Sequence, residues 1–142
     1  MARIVAIMFV LLSGTASRYD PGVMERVVER RLQPDALAWR YPLPVPLPEV
    51  NGYVAMRDAE MIGRVVYARP VTPGTSLRWE RFLVADCAGS AAARRFMSVV
   101  PVEVDGVTAE RWGMGPGRRN VQVQVLIPDL TVDRRPATGG WR

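Results

Sequence analysis

The sequence predicts an all-β fold with a minor α component, folded as one domain. Short Val-rich segments recur from Tyr53 onward and are separated by Gly or Pro turns, the pattern of successive strands. Twelve Gly and twelve Pro in 142 residues favour many turns over long helices. Apolar residues make up 49% and charged residues 23%, the balance of a chain that packs one core.

The expected strands are Tyr53 to Met56, Arg64 to Ala68, Arg81 to Ala85, Val99 to Val104 and Asn120 to Ile127. The last contains Val121-Gln-Val-Gln-Val125, apolar and polar in alternation as a half-buried strand requires. Two short helices are expected. Val23 to Leu32 places Val23, Val27, Val28 and Leu32 at helical spacing, with Glu25 and Glu29 beside Arg on the polar side. The segment Asp105-Gly-Val-Thr-Ala-Glu-Arg-Trp-Gly113 opens on a capping Asp and stops at Gly. Between Tyr41 and Val50 every second residue is Pro from position 42 to 48, which predicts an extended surface loop.

Both ends read differently from the middle. Arg3, the apolar run Ile4 to Leu12, and the small residues Gly14 and Ala16 make residues 1–16 resemble an export signal, cut near Ala16; the competing reading is a first strand. The run is far shorter than the roughly 20 residues that span a bilayer, so no transmembrane span is expected. The domain is then residues 17–128, with a first strand opening as early as Gly14, and residues 129–142 form a charged, Gly/Pro-rich flexible tail. A secreted or envelope location follows from the signal-like reading.

Composition narrows the chemistry. The chain has no His, which removes Ser-His-Asp and Cys-His pairs and the usual His-containing metal sites. Its one Cys, Cys87, makes no internal disulfide and no thiolate cluster, so no metal and no cofactor are expected. All nineteen basic residues are Arg and the net charge is +5, which favours polyanions. These Arg residues are spread along the chain without interleaved aromatics, so no nucleic-acid partner is expected.

Three stretches resemble the double-psi β-barrel family of rare lipoprotein A, the expansins and the small endoglucanases of that fold. Gly14-Thr-Ala-Ser-Arg-Tyr-Asp-Pro-Gly22 is similar to the opening strand and turn. Gly63-Arg-Val-Val-Tyr67 through Phe82-Leu-Val-Ala-Asp-Cys87 resembles the paired strands that end in an Asp at a loop. Val102-Glu-Val-Asp-Gly-Val-Thr-Ala-Glu-Arg-Trp-Gly-Met114, then Gly117 and Val121 to Leu126, resembles the helix and closing strand. The resemblance implies a six-stranded barrel, a monomer, and cell-wall polysaccharide as partner. The chain departs from the family's enzymes in lacking the groove His, from the plant-type members in lacking disulfides, and from both in its Pro-rich insertion.

Carboxylates alone suffice to cleave a glycosidic bond. By resemblance, the catalytic candidates are Asp20, Asp86 and Asp105, and Tyr19, Trp79 and Trp112 are candidates for stacking on sugar faces. Each has a structural alternative: Asp20-Pro21-Gly22 is a good turn, Asp86 can satisfy loop amides, Asp105 can cap a helix, and the aromatics can be core. Two functions stay open: a wall-glycan-acting glycosidase or lytic-transglycosylase-like enzyme, and a non-catalytic carbohydrate-binding or protein-interaction module.

Overall fold

The structure, a computed structural model, describes residues 8–20, 22–33, 41–71, 78–115 and 120–129, the side chains at 8 and 129 excepted. Six strands form a closed barrel: β1 (Met8–Arg18), β2 (Gly52–Met56), β3 (Val65–Pro70), β4 (Glu80–Cys87), β5 (Val102–Val104) and β6 (Val121–Asp129). Around the ring the order is β1-β5-β2-β4-β3-β6. The β1/β5 and β2/β4 pairs are parallel, and the other four are antiparallel. The all-β class, the six strands and the doubly paired position of β6 agree with the sequence reading.

The chain order hides a symmetry. Exchanging β1 with β4, β2 with β5 and β3 with β6 returns the same ring with the same strand senses. The helices obey it too. Helix α1 (Val23–Arg31) follows β1, and α2 (Ala91–Phe96) follows β4; a 3-10 turn at Ala59–Met61 follows β2, and α3 (Gly106–Arg111) follows β5. Helix α2 is the element that sequence periodicity did not indicate. Its Ala-Ala-Ala-Arg-Arg-Phe sequence buries none of its residues, so it has no apolar stripe, and its start is marked by Ser90, whose hydroxyl accepts from Ala93 N.

The core is made by strand alternation. Val54, Val66, Phe82, Val84, Val102, Val104, Val123 and Val125 are fully buried inside the barrel. Helix α1 covers one flank of β4 with Met24, Val28 and Arg31, which share a face at i, i+4 and i+7. The Pro-rich segment at 41–50 has no regular secondary structure, and it contributes to the core as well as the surface: Leu43 is buried while Val45 is 78% exposed.

At the amino terminus the structure shows the strand that was the competing reading of this segment. Residues 8–16 of that segment lie in β1, which begins at Met8 rather than Gly14 and pairs with β6 from Met8↔Asp129 to Ala16↔Val121. An apolar run of this length is a strand when a partner of matching register exists, and the alternating β6 supplies one. Residues 1–7 lie outside the described residues, and so does the expected tail beyond Asp129, itself the last residue of β6. The strand expected from Val99 starts at Val102. Among the described residues no helix is long and apolar enough to cross a membrane.

Strand β5 is three residues long and meets β2 at only two register pairs, Val54↔Val104 and Ala55↔Glu103. Asp105 secures that junction. Its N–H donates to Tyr53 O at 3.1 Å, and its carboxylate accepts from Tyr53 N at 2.7 Å and from Thr108 N, in the first turn of α3, at 2.7 Å. Gly52 is required beside it, because a Cβ there would sit 2.6 Å from both Asp105 Oδ2 and Thr108 Oγ1.

Two outcomes follow. Deleting residues 1–16 removes the whole β1/β6 ladder, so circular dichroism of that variant should lose the cooperative thermal transition of the full chain. Asp105→Ala leaves two backbone N–H groups without their acceptor and should cost about 2–4 kcal/mol in denaturant unfolding, the sum of a lost cap and a buried unpaired donor.

Candidate functional site

A groove of about 460 Å³ opens where the carboxyl-terminal ends of β1 and β4 meet the rest of the barrel. Its floor is Ala55. The register across three adjacent strands places Glu103 on one side of Ala55 and Asp86 on the other. Two strand spacings separate these flanking positions, about 10 Å between Cα atoms. A bulge creates the row. Val54 pairs with Val84 but Ala55 pairs with Asp86, so Ala85 is the extra residue that turns Asp86 to the side it occupies.

Asp86 is held from two directions. Arg31, buried on α1, approaches Oδ1 through Nη2 at 2.8 Å, and the Tyr19 hydroxyl donates to Oδ2 at 2.5 Å. Tyr19 reaches this position because its own N–H donates to Val104 O at 2.9 Å, which ties the end of β1 to β5. Burial first, then the hydrogen bond to Asp86 and the surrounding carboxylates, raises the Tyr19 hydroxyl above its ordinary range, so it stays protonated and donates.

Glu103 is the residue the sequence reading missed. Strand alternation turns it away from buried Val102 and Val104 and into the groove. Its carboxyl is raised above the ordinary range by burial first, then by the negative charges of Asp20 and Asp86. Asp20 is exposed at the groove's edge, where Val23 N donates to its carbonyl at 3.1 Å and Gly22 turns the chain at φ 75°, so the expected turn is present as well. Cys87, half-buried in the same groove, is raised by burial and by Asp86, which keeps it a thiol.

The six candidates therefore divide. Tyr19 and Asp86 line the groove with Glu103, and Asp20 stands outside the lining but close enough for its charge to act on Glu103. Asp105 lies outside its lining, buried, with its carboxylate committed to the β2/β5 junction and the α3 cap. Trp79 and Trp112 line a different pocket beside Glu80, six residues before Asp86 on β4, or about 20 Å along the strand. Trp112 is mostly core: it packs edge-on against Phe82 at 5.7 Å and donates its indole N–H to Glu80 at 2.6 Å. Among the described residues no cluster of three or more His, Cys, Asp and Glu is placed to hold a metal ion.

A signal for Glu103 existed in the Val-Glu-Val alternation: the one polar residue of a short strand between two buried valines, two positions before the Asp that fixes the strand. Because its carboxyl is raised in the folded state, Glu103 favours folding below the ordinary Glu range and loses that contribution as pH rises through its folded value. Glu103→Gln should therefore raise Tm relative to the parent at pH 7, and the gain should vanish as pH falls below 4. Differential scanning calorimetry across that range checks it.

No protein-family model, curated protein or solved structure matches this chain, so the site is read from its own geometry.

Proposed function

We propose that this chain is a double-psi β-barrel that cleaves cell-wall polysaccharide at the Glu103–Asp86 groove, with Glu103 as the general acid. The carrying observation is the row Glu103–Ala55–Asp86, in which a partly buried carboxyl raised in pKa faces a carboxylate fixed by Arg31 and Tyr19. The half-exchange symmetry of the ring, with its two parallel pairs, supports the double-psi assignment, since that fold interlocks two like halves.

The chemistry needs no His. Protonated Glu103 gives its proton to the glycosidic oxygen as the bond to the anomeric carbon breaks and the electron pair leaves with that oxygen. The positive charge left on the sugar ring is met by the Asp86 carboxylate, pre-oriented and already shielded from water by its two partners. Water then attacks the anomeric carbon and gives a proton back to Glu103, which restores the acid. Ala55 keeps the floor low enough for a sugar ring between the two carboxyls. The location at the cell envelope belongs to this proposal through its substrate, because residues 8–16 are needed in the barrel.

Purified wall glycan incubated with the full chain should release soluble fragments, and Glu103→Gln should lower the rate by about 10²–10⁴-fold, the usual contribution of a positioned acid. Asp20→Asn, at an exposed position, removes one of the charges that raise Glu103, so the alkaline limb of the pH–rate profile should move to lower pH. Binding of glycan with no release by the parent chain would instead identify a binding module.

A further inference from the structure

A cavity of about 330 Å³ lies next to the groove, walled by Leu12, Met56, Met61, Met97, Pro101 and Ile127. Two observations join it to the groove. Along β2, Ala55 is the groove floor and Met56, the next residue, lines the cavity, as strand alternation requires. Met97 lines both spaces, and among the described residues it alone does so. Met97 has freedom to move. It follows α2, none of whose residues is buried, and it is itself buried apart from the main apolar cluster, with open space on two sides. Its side chain is unbranched, so a change of rotamer carries the thioether from one space to the other without overpacking either. The opposite wall is fixed: Met61 Sδ accepts from Arg64 Nη1 at 3.5 Å while Arg64 Nη2 donates to Pro128 O at 2.9 Å, which ties Met61 to β6.

We infer that Met97 is the specificity-determining gate of the groove: when its side chain turns, the cavity becomes an annex that takes an acyl chain longer than acetyl, carried by the sugar bound over Ala55. The lining selects hydrocarbon. Its two charged residues, Arg57 and Asp58, bond to each other at 3.1 and 3.2 Å, which leaves hydrocarbon, thioether and the hydroxyls of Ser13 and Ser98 to meet a ligand. Thioether walls repack around a flexible chain, and each methylene taken out of water adds to binding. At about 330 Å³ the space is at the low end of small-ligand pockets and far larger than an acetyl group. The sugar rests on the function proposed above, whereas the joining of the two cavities through Met97 does not.

Cys87, the chain's one thiol, lines the groove and reports on the annex without any cleavage. Its alkylation in the full chain by N-hexylmaleimide and by N-methylmaleimide is measured, each rate divided by that of glutathione with the same reagent. The hexyl reagent should be favoured about tenfold or more in the parent, because its tail enters the annex. Met97→Ile, stiff at its branched Cβ, and Met61→Trp, which fills the annex from its fixed wall, should each bring the two reagents within about twofold. Met97→Ala removes the partition and should keep or raise the preference. Equal relative rates in the parent, or a preference that persists in both Met97→Ile and Met61→Trp with circular dichroism matching the parent, would overturn the inference. On N-hexanoyl and N-acetyl forms of one wall glycan, Met97→Ile should lower the hexanoyl-to-acetyl ratio of kcat/KM about tenfold. Cleavage of neither form with the reagent preference intact would count against the reaction proposed for the groove and leave the annex standing; cleavage without the reagent preference would count against the annex alone.

Discussion

The junction between β5 and β2 decides where Glu103 stands in the groove, and it is held by Asp105. Two register pairs are a weak basis for aligning a three-residue strand, and a slip of one residue would turn Glu103 into the core and a valine into the groove. Asp105 exchanges hydrogen bonds with both backbone groups of Tyr53 and at the same time caps α3, so sliding β5 on β2 would break two bonds and drag the capped helix with it. The absence of a side chain at Gly52 is what lets the carboxylate come so close. The Asp105 carboxylate is thereby committed to holding the register that places Glu103.

The groove itself places more negative charge than positive in a partly enclosed space. Asp86 is paired with Arg31, while burial and the charges of Asp20 and Asp86 raise the Glu103 carboxyl above its ordinary range. This asymmetry is what distinguishes the two ends of the row. It also breaks the barrel's internal symmetry: under the exchange of halves, the row position that carries Glu103 on β5 corresponds to Ala55 on β2, and Ser17 on β1 corresponds to Asp86 on β4. One half supplies the acid and the other supplies the space.

The strands and both amphipathic segments were legible because their signal is local. Val-rich alternation and Gly/Pro punctuation placed β2, β3, β4 and β6 to within two residues, and Asp105 before Gly106 marked α3. Three features were hidden for different reasons. The apolar run before Gly14 carries the same pattern whether it is removed or paired, and only the β6 register, set more than 100 residues away, makes it a strand. Helix α2 has no apolar stripe to read. Glu103 looked like the outward residue of an ordinary strand, and its importance comes from Ala55 and Asp86, neighbours 48 and 17 positions distant that sequence spacing does not bring together. The pairing of Tyr19 with Asp86 was likewise out of reach, although both residues were singled out for other reasons.

The central claim is that Glu103 holds its proton more tightly than an ordinary glutamate, beside Asp86 and Asp20 and in a row fixed by strand register. A ¹³C-detected NMR titration that follows each side-chain carboxyl through pH addresses it directly. Glu103 should titrate above the ordinary glutamate range, with a curve broadened by its coupling to Asp86 and Asp20. A Glu103 carboxyl that titrates in the ordinary glutamate range, with no response when Asp86 or Asp20 changes charge, would contradict the account.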